Sequence, residues 1–461
     1  MHASNEVLAH GAAKAAVAHF DDLFLLTFDE LAIDAYFTDL IDDDGELVAV
    51  LLFENVVEQG GLPRAEETGE NADWDGLVLR HEAEAKLRPA ECTTPAQRHW
   101  LSLEKSSIAP RAKLLHSDDV MKFIASVYDK LRKSPKRVVF PEGTEPRVQR
   151  AAARFVKLGL GTPVLLGPRT AIEEVAAREQ VNLEHMGVID PVQAEDLPLF
   201  CERLEKLKRY RDVGKAASES IMVKPNYFGA MMVQYGQADA IVTGADEEAS
   251  STLRPLLQLI SPLPHLKSVT SCMALDLSNK RYGERGVMFF ADCAVIPDPT
   301  VDQLADIAVE TGITCRTLTG MKPRIAMLSF TTHSSGRLPG PAKVAAATAL
   351  ARQRASQRGI EMEIDGEMQA DTAILPELGA KKAPQSLVAG RANGLIFPDL
   401  ASSNIAVKLV QYLAGAETYG QLLLGLARPC ADLSRGATED NILGVAAIVA
   451  LQAVENRKIS H

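Results

Sequence analysis

The sequence has no long apolar run, and this absence excludes a membrane-spanning protein. No stretch of the 461 residues reaches the roughly 20 uninterrupted apolar residues that a transmembrane helix needs. The first residues, MHASNEVLAHGAAKAAVAHFDD, lack the basic end and the clean apolar core of a secretory signal. We therefore expect a cytoplasmic protein with no membrane partner.

Cysteine is scarce, and its spacing is not typical of disulfide-bonded or zinc-binding proteins. The sequence contains six cysteines, none of them in a CxxC pair: Cys92, Cys201, Cys272, Cys293, Cys315 and Cys430. This scatter argues against both a disulfide framework and a zinc site. We expect most of the thiols to be small buried apolar groups.

Basic residues are outnumbered, and this balance bears on the partners of the protein. The formal net charge is -12 and the isoelectric point is near 5.4. A general nucleic-acid-binding protein needs a basic face, so no nucleic-acid partner is expected. Small anionic substrates remain possible, because a local arginine cluster can override the global sign.

The chain is too long for one ordinary core, so two or three domains are expected. Between Asp21 and Leu79 the only basic residue is Arg64, and residues 1–117 form an acidic N-terminal region of unknown role. Within it, LAIDAYFTDL is compatible with a helix and ELVAVLLFENVV with a strand. The DDDGE run fails as a calcium loop, because its first and last ligand positions would be Leu40 and Leu51.

From about Val120 onward, short apolar runs alternate with helical patterns. KRVVFPEGTEPRVQRAAARFVKLGLGTPVLLGP has the order of a strand, a helix and a second strand. ADAIVTGA, RIAMLSFTT and GLIFPDL predict further strands, and PAKVAAATALARQRASQ predicts a helix. This alternation predicts an α/β protein with a largely parallel sheet covered on both faces. Ligands are then expected at the carboxyl ends of the strands.

Several loops after these strands are rich in hydroxyl groups. GADEEASSTLRP carries Thr252 and Arg254, which suit an oxyanion but equally suit a helix cap with a surface arginine. SFTTHSSGRLPG carries Thr331 and Ser335 and is compatible with anion binding, although the spacing of a Walker loop is absent. EIDGEMQAD offers carboxylates for a metal or a base, and an exposed acidic turn explains them equally well.

The segment ADLSRGATEDNI, residues 431–442, places Ser434 and Arg435 before a long apolar helix. Unsatisfied N–H groups at a helix N-terminus, with a serine and an arginine beside them, suit a phosphate or an acyl oxyanion. A plain helix cap is the alternative interpretation of the same turn.

An ordered set of motifs resembles the phosphate acetyltransferase (phosphotransacetylase) family, including phosphate acetyl-butyryl transferases. The motifs are VVFPEGTEPRV, VKPNYFGAMMV, STLRPLLQLI, DCAVIPDPT, IAMLSFTT and the stretch from EIDGEMQAD through KKAPQSLVAGRA and GLIFPDLASSN to ADLSRG. The resemblance covers roughly residues 120–461 and is specific because the motifs occur in the family's order.

The resemblance implies reversible acetyl transfer between coenzyme A and inorganic phosphate through a ternary complex. Coenzyme A is a substrate in this scheme, and neither a metal nor another cofactor is demanded. The family's fold has two α/β/α domains like those of isocitrate and isopropylmalate dehydrogenases, usually in a homodimer. Here the acyltransferase domain would span 118–461, with one subdomain at about 118–260 plus 416–461 and the other at about 261–415.

The resemblance also implies roles for individual residues. Ser434 matches the serine that stabilises the transition state, while Arg435 and Arg254 match arginines on the substrate side. Thr252, Thr331 and Ser335 remain candidate substrate-binding hydroxyls. A further family arginine falls within KLKRYRDVG, where Arg209 and Arg211 are both candidates.

Four departures from the family pattern lie near this site. The family's catalytic aspartate, seven residues after the serine, is replaced by Asn441, which cannot accept a proton at neutral pH. Asp440 is adjacent, but neighbours on a helix point about 100° apart. Glu247 stands where a histidine is common, and His333 with Ser334 replaces a lysine and a glycine.

Three other functions are compatible with the sequence. A phosphate butyryltransferase-like enzyme would differ only in an acyl pocket. A noncatalytic acetyl-CoA-sensing regulatory domain would explain the departures from the family pattern. A scaffold role rests on the acidic N-terminal region alone.

Overall fold

The computed structural model describes residues 122–207, 210, 214–333 and 338–459. The predicted helix and strand of the acidic N-terminal region, and Cys92, lie outside these residues. So do Arg209, Arg211 and Ser335. The proposed boundary at residue 118 also lies outside them and stays a prediction.

The described residues form alternating strands and helices. The strands are β1 (Lys136–Phe140), β2 (Gly161–Leu166), β3 (Gly187–Ile189), β4 (Ala240–Thr243), β5 (Thr270–Asp276), β6 (Val287–Ala291), β7 (Arg324–Leu328), β8 (Glu363–Met368), β9 (Gly394–Ile396), β10 (Glu417–Leu424) and β11 (Cys430–Asp432). The helices are α1 (Lys122–Arg132), α2 (Pro146–Lys157), α3 (Arg169–Glu179), α4 (Leu197–Glu205), α5 (Lys215–Met222), α6 (Pro225–Gln234), α7 (Ala249–Leu259), α8 (Val301–Thr319), α9 (Pro339–Gln357), α10 (Ala370–Ile374), α11 (Pro376–Lys382), α12 (Leu400–Leu413) and α13 (Glu439–Ile459).

The strand–helix–strand unit predicted at the start of this region is confirmed. β1 pairs with β2 in parallel, with Lys136 opposite Gly161, and α2 connects them. Pro146 opens α2 at a position where a missing N–H costs nothing, and the side chain of Glu145 accepts a hydrogen bond from the N–H of Arg147. The predicted strands in ADAIVTGA, RIAMLSFTT and GLIFPDL are β4, β7 and β9.

All the described strands join one mixed sheet with the order β3-β2-β1-β4-β11-β10-β5-β6-β9-β7-β8. Most pairs are parallel, as expected, but β10 is antiparallel to both of its neighbours, and β5 is antiparallel to β6. The sheet therefore reverses at its centre. The carboxyl ends of β1, β4 and β11 lie along one edge, and those of β6, β9, β7 and β8 lie along the opposite edge. The hydroxyl-rich loops are consequently divided between two edges.

Helices cover both faces of the sheet. Successive side chains of each strand point to opposite faces, so each strand contributes apolar side chains to both sides. On one face, α1, α2, α8, α9 and α13 form the largest apolar cluster, which includes Val138 and Cys272. On the other face, α4, α6 and α7 pack over one half of the sheet around Val139. Over the other half, α12 packs on a third cluster that includes Met273 and Phe290. Each half of the sheet is therefore covered on both sides.

Two expectations from composition can be compared with this architecture. The five cysteines among the described residues are all buried, as expected. None of the described helices is long and apolar enough to cross a membrane.

Candidate active site

A buried carboxylate orders the turn that follows β4. The side chain of Glu142, just after β1, accepts hydrogen bonds from the backbone N–H groups of Ala245, Asp246 and Glu247 at 2.8–3.0 Å. Gly244 in this turn has a φ of 92°, and a Cβ there would lie 2.4 Å from Oδ1 of Asp432. Only glycine lets the turns after β4 and β11 approach this closely.

Arg147 fastens these two turns together. Its guanidinium donates to the carbonyl oxygen of Ala245 at 2.7 Å and to those of Arg435 and Ala437 at 2.7 and 2.9 Å. Its Nε also donates to Glu145 at 2.6 Å. The guanidinium plane presents its donors in a fixed fork, so one side chain sets the position of two loops.

The turn that carries Ser434 is not itself the helix cap. Thr438 is the residue before α13, and its hydroxyl accepts from the N–H of Asn441 at 3.2 Å. The Asn441 side-chain oxygen accepts in return from the N–H and the hydroxyl of Thr438 at 3.0 and 2.9 Å. This reciprocal pair has the geometry of a capping box. The plain-cap interpretation of Ser434 is therefore wrong, and its hydroxyl is available for other contacts.

At position 441, where the resemblance implies an aspartate, Asn441 has hydrogen bonds at both the oxygen and the nitrogen of its side-chain amide. The Asn441 amide donates to the carbonyl oxygen of Thr418 at 3.2 Å and to Glu417 at 3.3 Å. Asp440 points elsewhere, because its carboxylate pairs with Arg154 at 2.7 Å. Asn441 lines the cavity described next, whereas Asp440 does not.

Ser434 and Asn441 open onto one cavity over the centre of the sheet, which we call the central cavity. It encloses about 30 Å³. Its apolar walls come from Met273, Cys293, Val407, Leu433 and Ala437. Its polar walls come from Asn404, Lys408, Gln411, Thr418, Gln421, Ser434 and Asn441, with Gly420 beside them. No carboxylate lines the central cavity among the residues that the structure describes.

Arg254 lies in a different cavity, at the N-terminal half of α7. This α7 cavity encloses about 270 Å³ and is lined by Lys224, Pro225, Asn226, Tyr227, Glu247, Ser250, Ser251, Arg254 and Pro255. Burial and the nearby Glu142 raise the pKa of Glu247, while a hydrogen bond from Asn226 lowers it. Ser434 and Arg254 therefore do not line one cavity in this structure.

Thr252 connects the two regions instead of facing either cavity. It is fully buried, its hydroxyl lies 3.1 Å from the carbonyl oxygen of Ala249, and it hydrogen-bonds the side chain of Asp432. Because Asp432 is two residues before Ser434, α7 is tied to the Ser434 turn through a buried contact. The Arg435 side chain is exposed on that turn.

Thr331 lies at the carboxyl end of β7, on the edge opposite to that of Ser434. Its hydroxyl donates to the Glu367 side chain at 3.3 Å. The carboxylates of EIDGEMQAD are largely paired nearby, with Arg352 and His333 on Asp365. No group of three metal-ligating side chains was found in the described part of the chain.

Sequence reasoning assigned no role to Glu142, Arg147, Lys408 and Gln421. The first two lie in the loop Pro141 to Arg147, which follows a predicted strand and was therefore expected near a ligand. Lys408 and Gln421 come from α12 and β10 and carry no local motif. Tertiary packing brings them to the cavity that Ser434 lines.

The comparisons with known proteins agree on one family. Residues 122–450 match the model described as phosphate acetyl/butaryl transferase. The chain belongs to that family. A phosphate acetyltransferase of Acetivibrio thermocellus is 40% identical over 333 residues, covering 72% of this chain and 98% of the relative. One of Treponema pallidum is 38% identical over 335 residues, covering 72% and 99%.

A solved structure of a family member supports the same assignment. A phosphotransacetylase from Streptococcus pyogenes is 36% identical, with a TM-score of 0.66, and the match covers 72% of this chain and 98% of that one. The coverage corresponds to the part of the chain in which the family motifs occur. Residues 1–117 therefore stand outside the shared region.

Beneath the Ser434 turn lies a carboxyl group in an unfavourable setting. Asp432 is 3% exposed, and its Oδ1 has no hydrogen-bond partner among the described residues. Burial raises the pKa of Asp432 to about 7, with a lowering contribution from the Thr252 hydrogen bond and a raising one from Glu142. The neutral carboxyl is favoured because a buried charge without full hydrogen bonding is costly.

Replacing Asp432 by asparagine should therefore change the pH dependence of stability. The folded-state pKa lies above the unfolded value of about 3.9, so the wild type loses stability as pH rises from about 4 to about 7. Asp432→Asn keeps the shape of the neutral acid and removes this loss. In urea unfolding we expect similar free energies near pH 4 and a variant more stable by at least about 1 kcal/mol at pH 8. The exposed Asp298→Asn serves as control, and equal pH dependence in all three proteins would contradict the assignment.

Proposed function

We propose that this protein transfers an acetyl group reversibly between coenzyme A and inorganic phosphate. Family membership supports this reaction. The match to this chain covers nearly the whole length of the two phosphate acetyltransferases compared above. The observation that carries the proposal to this chain is that Ser434 lines a small cavity together with buried apolar side chains. A hydroxyl donor beside an apolar recess suits a short acyl group.

In the direction of acetyl-CoA formation, the coenzyme A thiolate attacks the carbonyl carbon of acetyl phosphate. The new C–S bond forms while negative charge builds on the carbonyl oxygen, and Ser434 donates a hydrogen bond to that oxygen. Collapse breaks the C–O bond to phosphate and restores the carbonyl, and the thiol proton ends on the departing phosphate. A fixed donor aimed at the developing charge lowers the barrier.

The phosphate group of the substrate is bound by cationic side chains on the same turn and on neighbouring helices. Arg435 follows Ser434 directly, and Lys408 is one of the residues that line the central cavity. Arg254 projects from α7, which the Thr252–Asp432 contact ties to the Ser434 turn. We infer that the bound substrates extend from the central cavity to the α7 cavity. The acyl group would lie at Ser434, and Arg254 would bind the portion of the substrates that reaches the α7 cavity. Guanidinium groups suit this role because they bind phosphate oxygens in pairs.

Two finer features of the family are proposed for this chain as well. The reversal of the sheet at β10 supports a division into the two subdomains, of which 118–260 plus 416–461 is one and 261–415 the other. An exposed apolar stripe on α12 supports a homodimer. Its members recur at helical spacing and are each at least half exposed: Ile405, Leu409, Tyr412 and Leu413. Stripes of this kind mark protein interfaces.

The direct test is an assay of thioester formation from acetyl phosphate and coenzyme A. The wild type should produce thioester, and Ser434→Ala should lower kcat about 10²- to 10³-fold with KM little changed, because the hydroxyl acts in the transition state. Ser402→Ala is a matched control, since Ser402 lies on α12 and hydrogen-bonds Asp399. A wild type that binds acetyl-CoA without forming thioester would instead indicate a regulatory ligand-binding domain.

The absence of a carboxylate at position 441 yields a second prediction. The free coenzyme A thiol, with a pKa near 8.5, is only a few per cent ionised at neutral pH, so proton removal should limit the rate. Asn441→Asp should raise kcat at pH 7 at least about tenfold. It should also lower the melting temperature, because the new carboxylate meets Glu417 and the Thr418 carbonyl, which the amide now contacts. A folded variant with wild-type kcat would show that solvent or another group already takes the proton.

A further inference from the structure

Three buried apolar residues line the central cavity. Met273 on β5, Cys293 after β6 and Val407 on α12 line the cavity and are 7%, 1% and 3% exposed. All three belong to the apolar cluster under α12. They contribute no charge, so the surface that they give to the cavity suits a hydrocarbon group.

Other residues that line the same cavity are polar. Ser434, Asn441, Gln421 and Lys408 are among them, and Ser434 is exposed. A bound acyl group with its carbonyl oxygen at Ser434 would be better served by an alkyl chain that lies against the buried apolar side chains than by one that lies against the polar ones. Met273 is one of these apolar side chains.

The size of the cavity sets the length of that chain. The free space inside the cavity is small, about 30 Å³, so each added methylene has to compete with the side chains that line it. An acetyl group has three heavy atoms, whereas a butyryl group has five. The walls are packed into the third apolar cluster, and close-packed interiors yield little to an extra methylene.

We propose that Met273, backed by Val407, is the residue that limits the acyl group to acetyl. The proposal rests on the acyl transfer proposed above and adds the acyl-length preference of that site. Met273 is the long, unbranched side chain among the three, and its truncation to alanine removes three heavy atoms. This opens the space that the two additional carbons of a butyryl group require.

The test compares acetyl, propionyl and butyryl phosphates as acyl donors to coenzyme A for each protein. In the wild type, kcat/KM should fall at each added methylene by about tenfold or more. In Met273→Ala, the ratio of butyryl to acetyl kcat/KM should rise about tenfold or more. Val407→Ala should shift the ratio in the same direction by a smaller factor, and it keeps the test valid if Met273→Ala fails to fold.

A matched control separates pocket size from a general loosening of the core. Met288 belongs to the same apolar cluster and is 3% exposed but does not line the central cavity. Met288→Ala should leave the ratio of butyryl to acetyl kcat/KM at its wild-type value, although it removes the same atoms. A change in Met288→Ala equal to that in Met273→Ala would overturn the proposal.

The remaining outcomes distinguish this inference from the proposed function. A wild type that forms no thioester from acetyl phosphate overturns the proposed function itself. A wild type that turns over acetyl phosphate but accepts butyryl phosphate equally well leaves the function in place and overturns the inference. If the wild type is active and both Met273→Ala and Val407→Ala keep its acyl preference, the function again stays in place and the inference is overturned.

Discussion

The candidate site depends on one guanidinium group, that of Arg147. It binds the carbonyl oxygens of Ala245, Arg435 and Ala437, which belong to the turns after β4 and β11. Each carbonyl would otherwise need another partner, because irregular backbone near a sheet edge cannot satisfy its own acceptors. The position of Ser434 is therefore set by a contact that begins on α2, far from it in sequence.

Two further contacts support this junction. Glu142 gathers three N–H groups of the β4 turn, and Gly244 permits the close approach of Asp432. The buried Asp432 carboxyl then joins Thr252 on α7 to the same turn. The arrangement stores an unfavourable burial of a carboxyl group directly beneath the serine. Such a burial is tolerable only where surrounding contacts hold the structure in place.

Much of the fold was predictable from sequence, because its information is local. The alternation of apolar runs with helical patterns located β1, β4, β7, β9 and α9. The reversal at β10 was not predictable, since the direction of a strand depends on pairing with residues far away in the chain. Together with the antiparallel pair of β5 and β6, these pairings place Thr331 and Ser434 at opposite edges, and β10 brings Gln421 to the cavity that Ser434 lines.

The sequence predicted some of the candidate site residues better than others, and the reasons are physical. The DLSRG pattern led to Ser434, which does line a cavity, whereas a pattern cannot reveal that Asn441 is occupied in capping α13. No sequence pattern predicted the apolar side of the central cavity, because its residues are ordinary core residues from β5, from the segment after β6 and from α12. Pocket size emerges only when these elements are packed together.

The most direct test of the junction is the rate of thioester formation by Arg147→Lys. Lysine keeps the charge but cannot present the planar fork that holds both turns. We expect kcat/KM for acetyl phosphate and coenzyme A to fall about 10²-fold, because small displacements of a catalytic group cost that much, while circular dichroism reports a folded protein. A folded Arg147→Lys variant with wild-type kcat/KM would contradict the account.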